Sequence, residues 1–235
     1  MKFSKSDKIV VLTGAGISAD SGLKTFREND GLWENYRVEE VATPKAFSNN
    51  PELVWEFYKQ RYEQLKTAKP NPAHFALKRL EDFARTNFSL ITQNVDGLHF
   101  QAGNTNVLEM HGSILRCFCV KCHNNYSISG IDLDKKIPLC KKCEGMLRPD
   151  VVWFGEIPYH LEKINILLQK VDYFIIIGTS GVVYPAAGFL QLAKYYKSVT
   201  IGINREKPAN YNQIDKFFLG KAGEILPKLI DEWIK

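Results

Sequence analysis

Residues 8–18 read Lys8-Ile9-Val10-Val11-Leu12-Thr13-Gly14-Ala15-Gly16-Ile17-Ser18, an apolar run followed at once by closely spaced glycines. An apolar run of this length is typical of a strand buried on both faces of a parallel sheet. Glycines at its carboxyl end let the backbone approach a pyrophosphate, and we expect a following helix to offer free N–H groups to that anion. The spacing differs from G-x-G-x-x-G, which disfavours hydride transfer, and the sequence lacks the G-x-x-x-x-G-K-[ST] pattern of phosphate-loop NTPases.

Strand-like and helix-like segments alternate along the remaining chain. Asn71-Pro72 places an N-cap residue before a proline at the first helical position. Apolar runs indicate strands at 88–92, 173–177 and 199–203, and helical patterns cover 51–61, 72–83 and 222–233. This alternation predicts an α/β fold built on a doubly wound parallel sheet.

Two cysteine pairs lie in the middle of the chain, Cys119/Cys122 and Cys140/Cys143, each spaced C-x2-C and separated by 17 residues. Thiolates at this spacing reach one tetrahedral zinc ion, and four of them close its coordination sphere. We therefore expect a structural zinc with no open position for chemistry. We expect the fifth cysteine, Cys117, to be a buried or idle thiol. The alternative is that Cys117 binds the zinc in place of Cys119.

Composition limits the classes of function. The chain has 235 residues and a net charge of +5, and its Lys and Arg residues are scattered, which disfavours a nucleic-acid-binding surface. It contains neither an apolar run of the ~20 residues that a membrane span needs nor a signal-peptide core. Cysteines at zinc spacing favour a reducing compartment, so a cytoplasmic location without membrane association is expected.

Several short motifs follow one another along the chain in an order that is specific to one enzyme family. The motifs are Gly14-Ala15-Gly16-Ile17-Ser18, Thr25-Phe26-Arg27, Thr92-Gln93-Asn94-Val95-Asp96-Gly97-Leu98-His99, His111-Gly112, Val152-Trp153-Phe154-Gly155-Glu156 and Gly178-Thr179-Ser180. From about Lys8 to Leu226 the sequence thus resembles the sirtuins, which are NAD-dependent protein deacylases.

The resemblance implies an architecture. It implies a Rossmann-like doubly wound parallel sheet with a small zinc-ribbon domain inserted. The large domain would comprise about 1–37, 88–113 and 151–235. The helical part of the small domain would cover about 38–87 and its zinc ribbon about 114–150.

The resemblance also implies site residues. His111 would be the general base on a ribose hydroxyl of the co-substrate NAD, a role that suits an imidazole because its pKa lies near neutrality. Acyl-lysine proteins or peptides would be the partners, and O-acyl-ADP-ribose, nicotinamide and free lysine the products. The implied NAD-binding residues are Gly14, Ala15, Gly16, Arg27, Gln93, Asn94, Asp96, Gly178, Ser180, Asn204, Glu206 and Ala222. The remaining histidines, His74, His99, His123 and His160, are expected to be structural.

The substrate side has two implied parts. Val152, Phe154, Gly155 and Glu156 resemble the segment that pairs with the substrate peptide as an added strand. Tyr58 and Arg61 lie three apart on the predicted helix, so they share one face. Together with Ala42 they resemble the class III sirtuins, which remove succinyl, malonyl and glutaryl groups, and acetyl remains a further candidate. The alternative is a solvated helix face, because Lys59 and Arg61 belong to a charged stretch.

Two other functions compete with deacylation. A zinc-ribbon nucleic-acid-binding module would need aromatic stacking residues, and the ribbon offers only Phe118 and Tyr126 beside its lysines. A mono-ADP-ribosyltransferase would use the same cofactor site, because both reactions begin with loss of nicotinamide. The mass of the acceptor protein separates the two reactions.

Overall fold

The computed structural model describes residues 1–24, 32–33 and 36–235. The strands in this part of the chain are β1 Ile9–Thr13, β2 Leu32–Trp33, β3 Tyr36–Arg37, β4 Phe88–Thr92, β5 Val107–Glu109, β6 Gly112–Cys119, β7 Asn125–Ser127, β8 Leu147–Val151, β9 Tyr173–Ile177, β10 Val199–Asn204 and β11 Lys216–Leu219. The helices are α1 Val38–Val41, α2 Pro44–Asn49, α3 Pro51–Thr67, α4 Pro72–Ala84, α5 Leu98–Gln101, α6 Leu161–Leu168, α7 Ala186–Tyr195 and α8 Ala222–Trp233.

The main sheet has the order β11-β10-β9-β1-β4-β5 and is parallel throughout. Every residue of β1 is buried, as expected for a central strand whose two faces are covered by helices. From β1 the chain winds outward to β4 and β5, and then returns to build β9, β10 and β11 on the other side. This is a doubly wound sheet with the strand order of dinucleotide-binding folds, and the predicted fold class is confirmed.

Helices cover both faces of the sheet. On one face α4 and α8 pack against β1 and β4, with Leu77, Leu80 and Leu226 fully buried. On the other face α6 and α7 form a second apolar cluster. The start of α4 is as predicted, because the Asn71 side chain accepts from Ala73 N at 2.9 Å and Pro72 occupies the first turn. Burial thus groups α4 with the sheet, whereas we expected residues 38–87 to belong to the small domain.

The smaller unit combines helices α1–α3 with an antiparallel sheet of order β7-β6-β8. Trp55 on α3 is fully buried, and its indole N–H donates to the carbonyl oxygen of Leu147 on β8 at 2.8 Å. One core therefore joins the helical part and the zinc-ribbon part of this unit.

The segment after β1 differs from the prediction. Instead of an α-helix it forms short 3₁₀ turns, Ala15–Ile17 and Ala19–Ser21, that end at Gly22 with a φ of 84°. Local carbonyls accept the amide hydrogens of these turns, such as that of Ser18, which Ala15 O accepts at 3.0 Å. The expectation of a helix with free N–H groups at this point was therefore wrong for the described residues. The predicted cofactor residue Arg27 lies outside them.

As for membranes, the described residues include no helix that combines the length and the apolar character needed to cross a bilayer.

Candidate active site

The carboxyl ends of β1 and β9 meet at the point where the winding of the sheet reverses. Gly14 N donates to Ile177 O and Gly16 N donates to Gly178 O, both at 2.9 Å. Gly178 has a φ of +64°, and a Cβ atom there would lie 2.4 Å from Ile17 N. Only glycine fits this contact. The two loops therefore pack backbone to backbone at the switch point, where doubly wound sheets bind their ligands.

A cleft of about 790 Å³ opens at this edge, between the sheet and the smaller unit. Its size is within the range of small-molecule and cofactor sites. Most of the predicted site residues line it: Gly14, Ala15, Gly16, Ala42, Tyr58, Arg61, Gln93, Asn94, Asp96, His111, Val152, Phe154, Gly155, Glu156, Gly178, Ser180, Asn204 and Glu206.

Ala222 is placed differently from the prediction. It begins α8 and is buried in the core beside Leu226, and it is not among the residues that line the cleft. Its sequence position after β11 suggested an adenosine contact, whereas the amphipathic face of α8 turns its methyl group into the core.

His111 lies between β5 and β6 on the wall of the cleft. Its Nδ1 is 3.0 Å from the carbonyl oxygen of Gln93. A carbonyl only accepts, so Nδ1 carries the hydrogen and Nε2 has the lone pair. Burial lowers the pKa of His111, and the bond to Gln93 O opposes that shift. The imidazole is thus held neutral, in the tautomer whose Nε2 can take up a proton.

Asn94, Asp96 and Ser18 form a hydrogen-bonded group at the base of the cleft. Ser18 Oγ donates to Asp96 Oδ2 at 2.7 Å, and Asn94 Nδ2 lies 3.2 Å from both Ser18 Oγ and Gly14 O. Burial raises the pKa of Asp96, while the bonds from Leu98 N and Ser18 Oγ lower it. We did not predict a role for Ser18. Its position directly after Gly16-Ile17, in the loop expected to bind the cofactor, could have indicated one.

On the far side of the cleft, Thr179 accepts hydrogen bonds from two of the predicted site residues. Its sequence position alone had suggested no role for it. Gln93 Nε2 donates to Thr179 Oγ1 at 3.1 Å, and Asn204 Nδ2 donates to Thr179 O at 2.9 Å. Arg205, which also lines the cleft, pairs with Asp20 at 2.8 Å. The polar residues that follow β4, β9 and β10 are therefore fixed to one another at one edge of the sheet.

The segment after β8 crosses between the two units. Val152 N donates to His111 O at 2.9 Å, and Phe154 N donates to Ala42 O at 3.0 Å. The Glu156 carboxylate accepts from Arg148 at 2.8 and 3.0 Å and from Trp153 N at 2.8 Å. Glu156 thus anchors this segment to β8, a contact that the spacing of the motif did not reveal.

Tyr58 and Arg61 lie together on the inner wall of the cleft, on the same side as Ala42. They are 2% and 6% exposed, so the alternative of a solvated helix face is wrong. The indole N–H of Trp153 donates to Tyr58 Oη at 2.9 Å. Arg61 Nη1 donates to Phe57 O at 2.7 Å, and the guanidinium carbon lies 3.5 Å from the centre of the Phe57 ring. Both side chains are therefore held in one orientation.

The predicted zinc ligands converge. The sulfur atoms of Cys119, Cys122, Cys140 and Cys143 all lie within 4.8 Å of one another. A tetrahedral zinc with Zn–S bonds of about 2.3 Å separates its sulfurs by about 3.8 Å, and the closest pairs here are 3.5 and 3.6 Å apart. Cys117 is fully buried outside this group. The donor set therefore fits one zinc ion.

Comparison with known proteins agrees with this geometry. The family model described as "Sir2 family" matches residues 14–185. The chain belongs to the Sir2 family. As a sirtuin it is an NAD-dependent protein deacylase, with NAD as co-substrate and the cysteine cluster as its zinc site.

Curated relatives of this sirtuin carry the same activity in their names. An "NAD-dependent protein deacylase" of Bdellovibrio bacteriovorus is 49% identical over 230 residues, covering 97% of both chains. One of Pyrococcus furiosus is 48% identical over 236 residues, covering 97% of this chain and 94% of the relative.

Solved sirtuin structures resemble this one closely. A Sir2 homologue in complex with NAD has a TM-score of 0.89 and 40% identity, covering 97% of this chain and 90% of the other. A Sir2 structure with a p53 peptide and NAD⁺ has a TM-score of 0.83 and 29% identity, covering 95% and 92%.

Proposed function

We propose that this sirtuin removes negatively charged acyl groups, succinyl and malonyl, from protein lysine side chains, with acetyl as a further substrate. The observation that carries the proposal is a buried guanidinium, that of Arg61, on the wall of the same cleft as His111. Free lysine, nicotinamide and O-acyl-ADP-ribose are the products.

Arg61 supports the choice of an acidic acyl group through its charge and its rigidity. The guanidinium is 6% exposed on the wall of the cleft, where its positive charge attracts a carboxylate and little water weakens that attraction. Arg61 Nη1 donates to the Phe57 carbonyl oxygen at 2.7 Å, which fixes the position of the guanidinium. Stacking on Phe57 holds the planar fork still, which suits two-point recognition of a carboxylate.

Tyr58 and Ala42 support the same choice. The indole N–H of Trp153 donates to Tyr58 Oη at 2.9 Å, which holds the phenol on the wall of the cleft beside Arg61. Burial raises the pKa of Tyr58, so the phenol stays protonated and remains a donor. Ala42 is 2% exposed and contributes only a methyl group to the wall, which leaves room for a longer acyl chain.

We infer the catalytic roles from the resemblance to sirtuins, and the geometry of the cleft supports them. The lone pair on His111 Nε2 takes the proton of a ribose hydroxyl, while Gln93 O keeps the ring in the required tautomer. Asn94 and Asp96 bind the carboxamide of nicotinamide, and Gln93 contacts the ribose. The other proposed NAD-binding residues are Gly14, Ala15, Gly16, Arg27, Gly178, Ser180, Asn204 and Glu206. Ala222 is left out because it is buried in the core and does not line the cleft.

The peptide side of the substrate is assigned to residues 152–156. We assign the backbone of Gly155 and the carbonyl groups of Val152 and Phe154 to pairing with an added strand, because Val152 N and Phe154 N already donate to His111 O and Ala42 O. Glu156 holds that backbone through Arg148. The zinc site keeps the ribbon folded. Because its thiolates need reducing conditions, we place the enzyme in the cytoplasm and expect neither nucleic-acid nor membrane partners.

A panel of acyl-lysine peptides with NAD tests the proposal. Peptides of one sequence carry acetyl, malonyl, succinyl or glutaryl groups, and kcat/KM is measured for each. We expect the succinyl and malonyl peptides to exceed the acetyl peptide. An acetyl peptide that is preferred tenfold or more would contradict the acyl assignment. Peptide mass is recorded in the same assay, because deacylation removes mass whereas ADP-ribosylation adds it.

A further inference from the structure

Two buried histidines lie behind the cleft without lining it. His74 is in the first turn of α4 and His99 is in α5, their ring centres are 4.9 Å apart, and they are 0% and 2% exposed. Each ring has one nitrogen with a hydrogen-bond partner. The other nitrogen, Nε2 of His74 and Nδ1 of His99, is buried and has no partner among the described residues. Unpaired polar atoms at such depth are costly.

The tautomer of His74 follows from its contact with the helix cap. Asn71 N lies 3.2 Å from His74 Nδ1. A backbone N–H only donates, so Nδ1 is the acceptor and a neutral ring carries its hydrogen on Nε2. Burial lowers the pKa of His74 to about 4, which keeps the ring neutral at physiological pH. The unpartnered Nε2 is therefore a donor.

The tautomer of His99 follows from a pair of threonines. Thr13 Oγ1 donates to Thr92 Oγ1 at 2.9 Å and lies 2.9 Å from His99 Nε2. A hydroxyl has one hydrogen, and Thr13 has given it to Thr92, so Thr13 accepts from His99. The neutral His99 ring then has its hydrogen on Nε2 and a lone pair on Nδ1. The unpartnered Nδ1 is therefore an acceptor.

The two unpartnered nitrogens are thus complementary. We propose that His74 Nε2–H donates to His99 Nδ1, and that this bond completes one directed hydrogen-bond chain that positions the loop after β1 and the segment after β4 at the base of the NAD cleft. Along the chain, Asn71 N donates to His74, His74 to His99, His99 to Thr13 and Thr13 to Thr92. His74 and His99 are positioning residues in this arrangement, and neither touches the reacting atoms.

Each end of the chain is attached to a segment at the base of the cleft. At one end, Asn71 Nδ2 donates to Ile17 O at 2.7 Å and to Ser21 Oγ at 3.0 Å, in the loop after β1. At the other end, Thr92 Oγ1 accepts from the backbone N of Asn94 at 3.0 Å. The chain therefore ends beside Ser18 in one segment and at Asn94 in the other, and these two cleft residues also contact each other, with Asn94 Nδ2 3.2 Å from Ser18 Oγ.

The tautomers are tested directly by NMR of the wild-type enzyme labelled with ¹⁵N-histidine. Protonated and lone-pair ring nitrogens have well separated ¹⁵N shifts, and single substitutions assign the signals. We expect both rings to be neutral at pH 7 with hydrogen on Nε2, and an N–H···N coupling between them. An Nδ1–H tautomer of His99, or a charged ring, would overturn the proposal. This measurement does not depend on the folding of a variant.

The positioning role is tested with matched substitutions. His74→Leu and His99→Leu remove the bond, whereas His74→Gln retains an acceptor for Asn71 and a donor for His99. One lost buried hydrogen bond predicts about a tenfold rise in the KM for NAD in each Leu variant. We expect an unchanged KM for the acyl peptide and recovery of NAD binding in the Gln variant. If the Leu variants fold and their KM for NAD stays within twofold of wild type, the proposal is wrong and the two histidines only fill space in the core.

Discussion

His111 Nδ1 lies 3.0 Å from the carbonyl oxygen of Gln93, and this one contact decides which imidazole nitrogen is basic. Gln93 directly follows β4, and His111 directly precedes β6. The hydrogen bond therefore links the sheet edge that holds the cofactor residues to the strand that leads into the zinc-bearing unit.

His111→Ala should nearly abolish deacylation while the enzyme stays folded and binds NAD. General base catalysis contributes ~10²–10⁴-fold, so kcat should fall by about that factor. His160→Asn is the control, because His160 is exposed at a φ of 63°, which Asn also adopts. The measurement is kcat with an acyl peptide at saturating NAD. More than half of the wild-type rate in His111→Ala would remove His111 from the mechanism.

The midpoint of the acid limb of the pH–rate profile should lie at a pH below 6.5, the ordinary pKa of a histidine. Burial lowers the pKa of His111 from 6.5, so the ring stays neutral, and able to accept a proton, at pH values where an exposed histidine is charged. We expect kcat/KM to fall only as the pH drops below 6.5. The profile reports the free enzyme. An acid limb centred above 6.5 would contradict the neutral, buried base.

Arg61→Met should change acyl preference rather than general activity. A hydrogen bond to a charged group is worth about 1.5–3 kcal/mol, so kcat/KM for succinyl-lysine should fall roughly 10–150-fold. Acetyl-lysine has no distal carboxylate, and its turnover should change little. Arg79→Met is the control, because Arg79 lies on α4 in an exposed pair with Asp231. Tyr58→Phe should show a smaller loss of the same kind.

An equal loss on both substrates in Arg61→Met would mean that α3 merely supports the cleft. In that case the desuccinylase assignment would give way to plain deacetylation, while the Sir2 identity and the role of His111 would stand.

Replacing Cys119, Cys122, Cys140 or Cys143 with Ser should lower zinc content and thermal stability together, because metal binding at a closed site is coupled to folding. Wild type should hold one zinc per chain. Cys117→Ser is the matched control and should retain the metal, because this thiol lies outside the cluster. The measurements are the zinc content of each variant by elemental analysis and its Tm. Loss of zinc in the control, with Cys119→Ser tolerated, would reassign the first ligand.

Stability should fall as the pH drops from about 6.5 to about 4, with His74 as one cause. The pKa of His74 is about 4 in the folded chain and 6.5 when exposed, so between these values the unfolded state binds the extra proton. The difference of about 2.5 units corresponds to roughly 3 kcal/mol at the acid end. His99 shifts in the same direction. Urea unfolding of wild type and of His74→Gln across this range should show a shallower slope for the variant, and equal slopes would exclude His74.

Local sequence determined the elements that depend on near neighbours. The strands at 88–92 and 173–177 have the predicted bounds, and Asn71 caps α4 as expected. The knuckle spacing selected the four zinc cysteines over Cys117. In each case the information lies within a few residues: apolar periodicity, a cap beside a proline, or two thiols on one turn.

The tertiary structure decided what depends on residues far apart in the chain. Tyr58 is hydrogen-bonded to Trp153, which lies 95 residues away, and such long-range packing turns a charged helix segment into a buried wall of the cleft. The pairing of His74 with His99 likewise requires α4 to pack on the sheet, which the expected domain boundary did not include. Burial and hydrogen-bond direction are properties of the packed interior, and no local pattern encodes them.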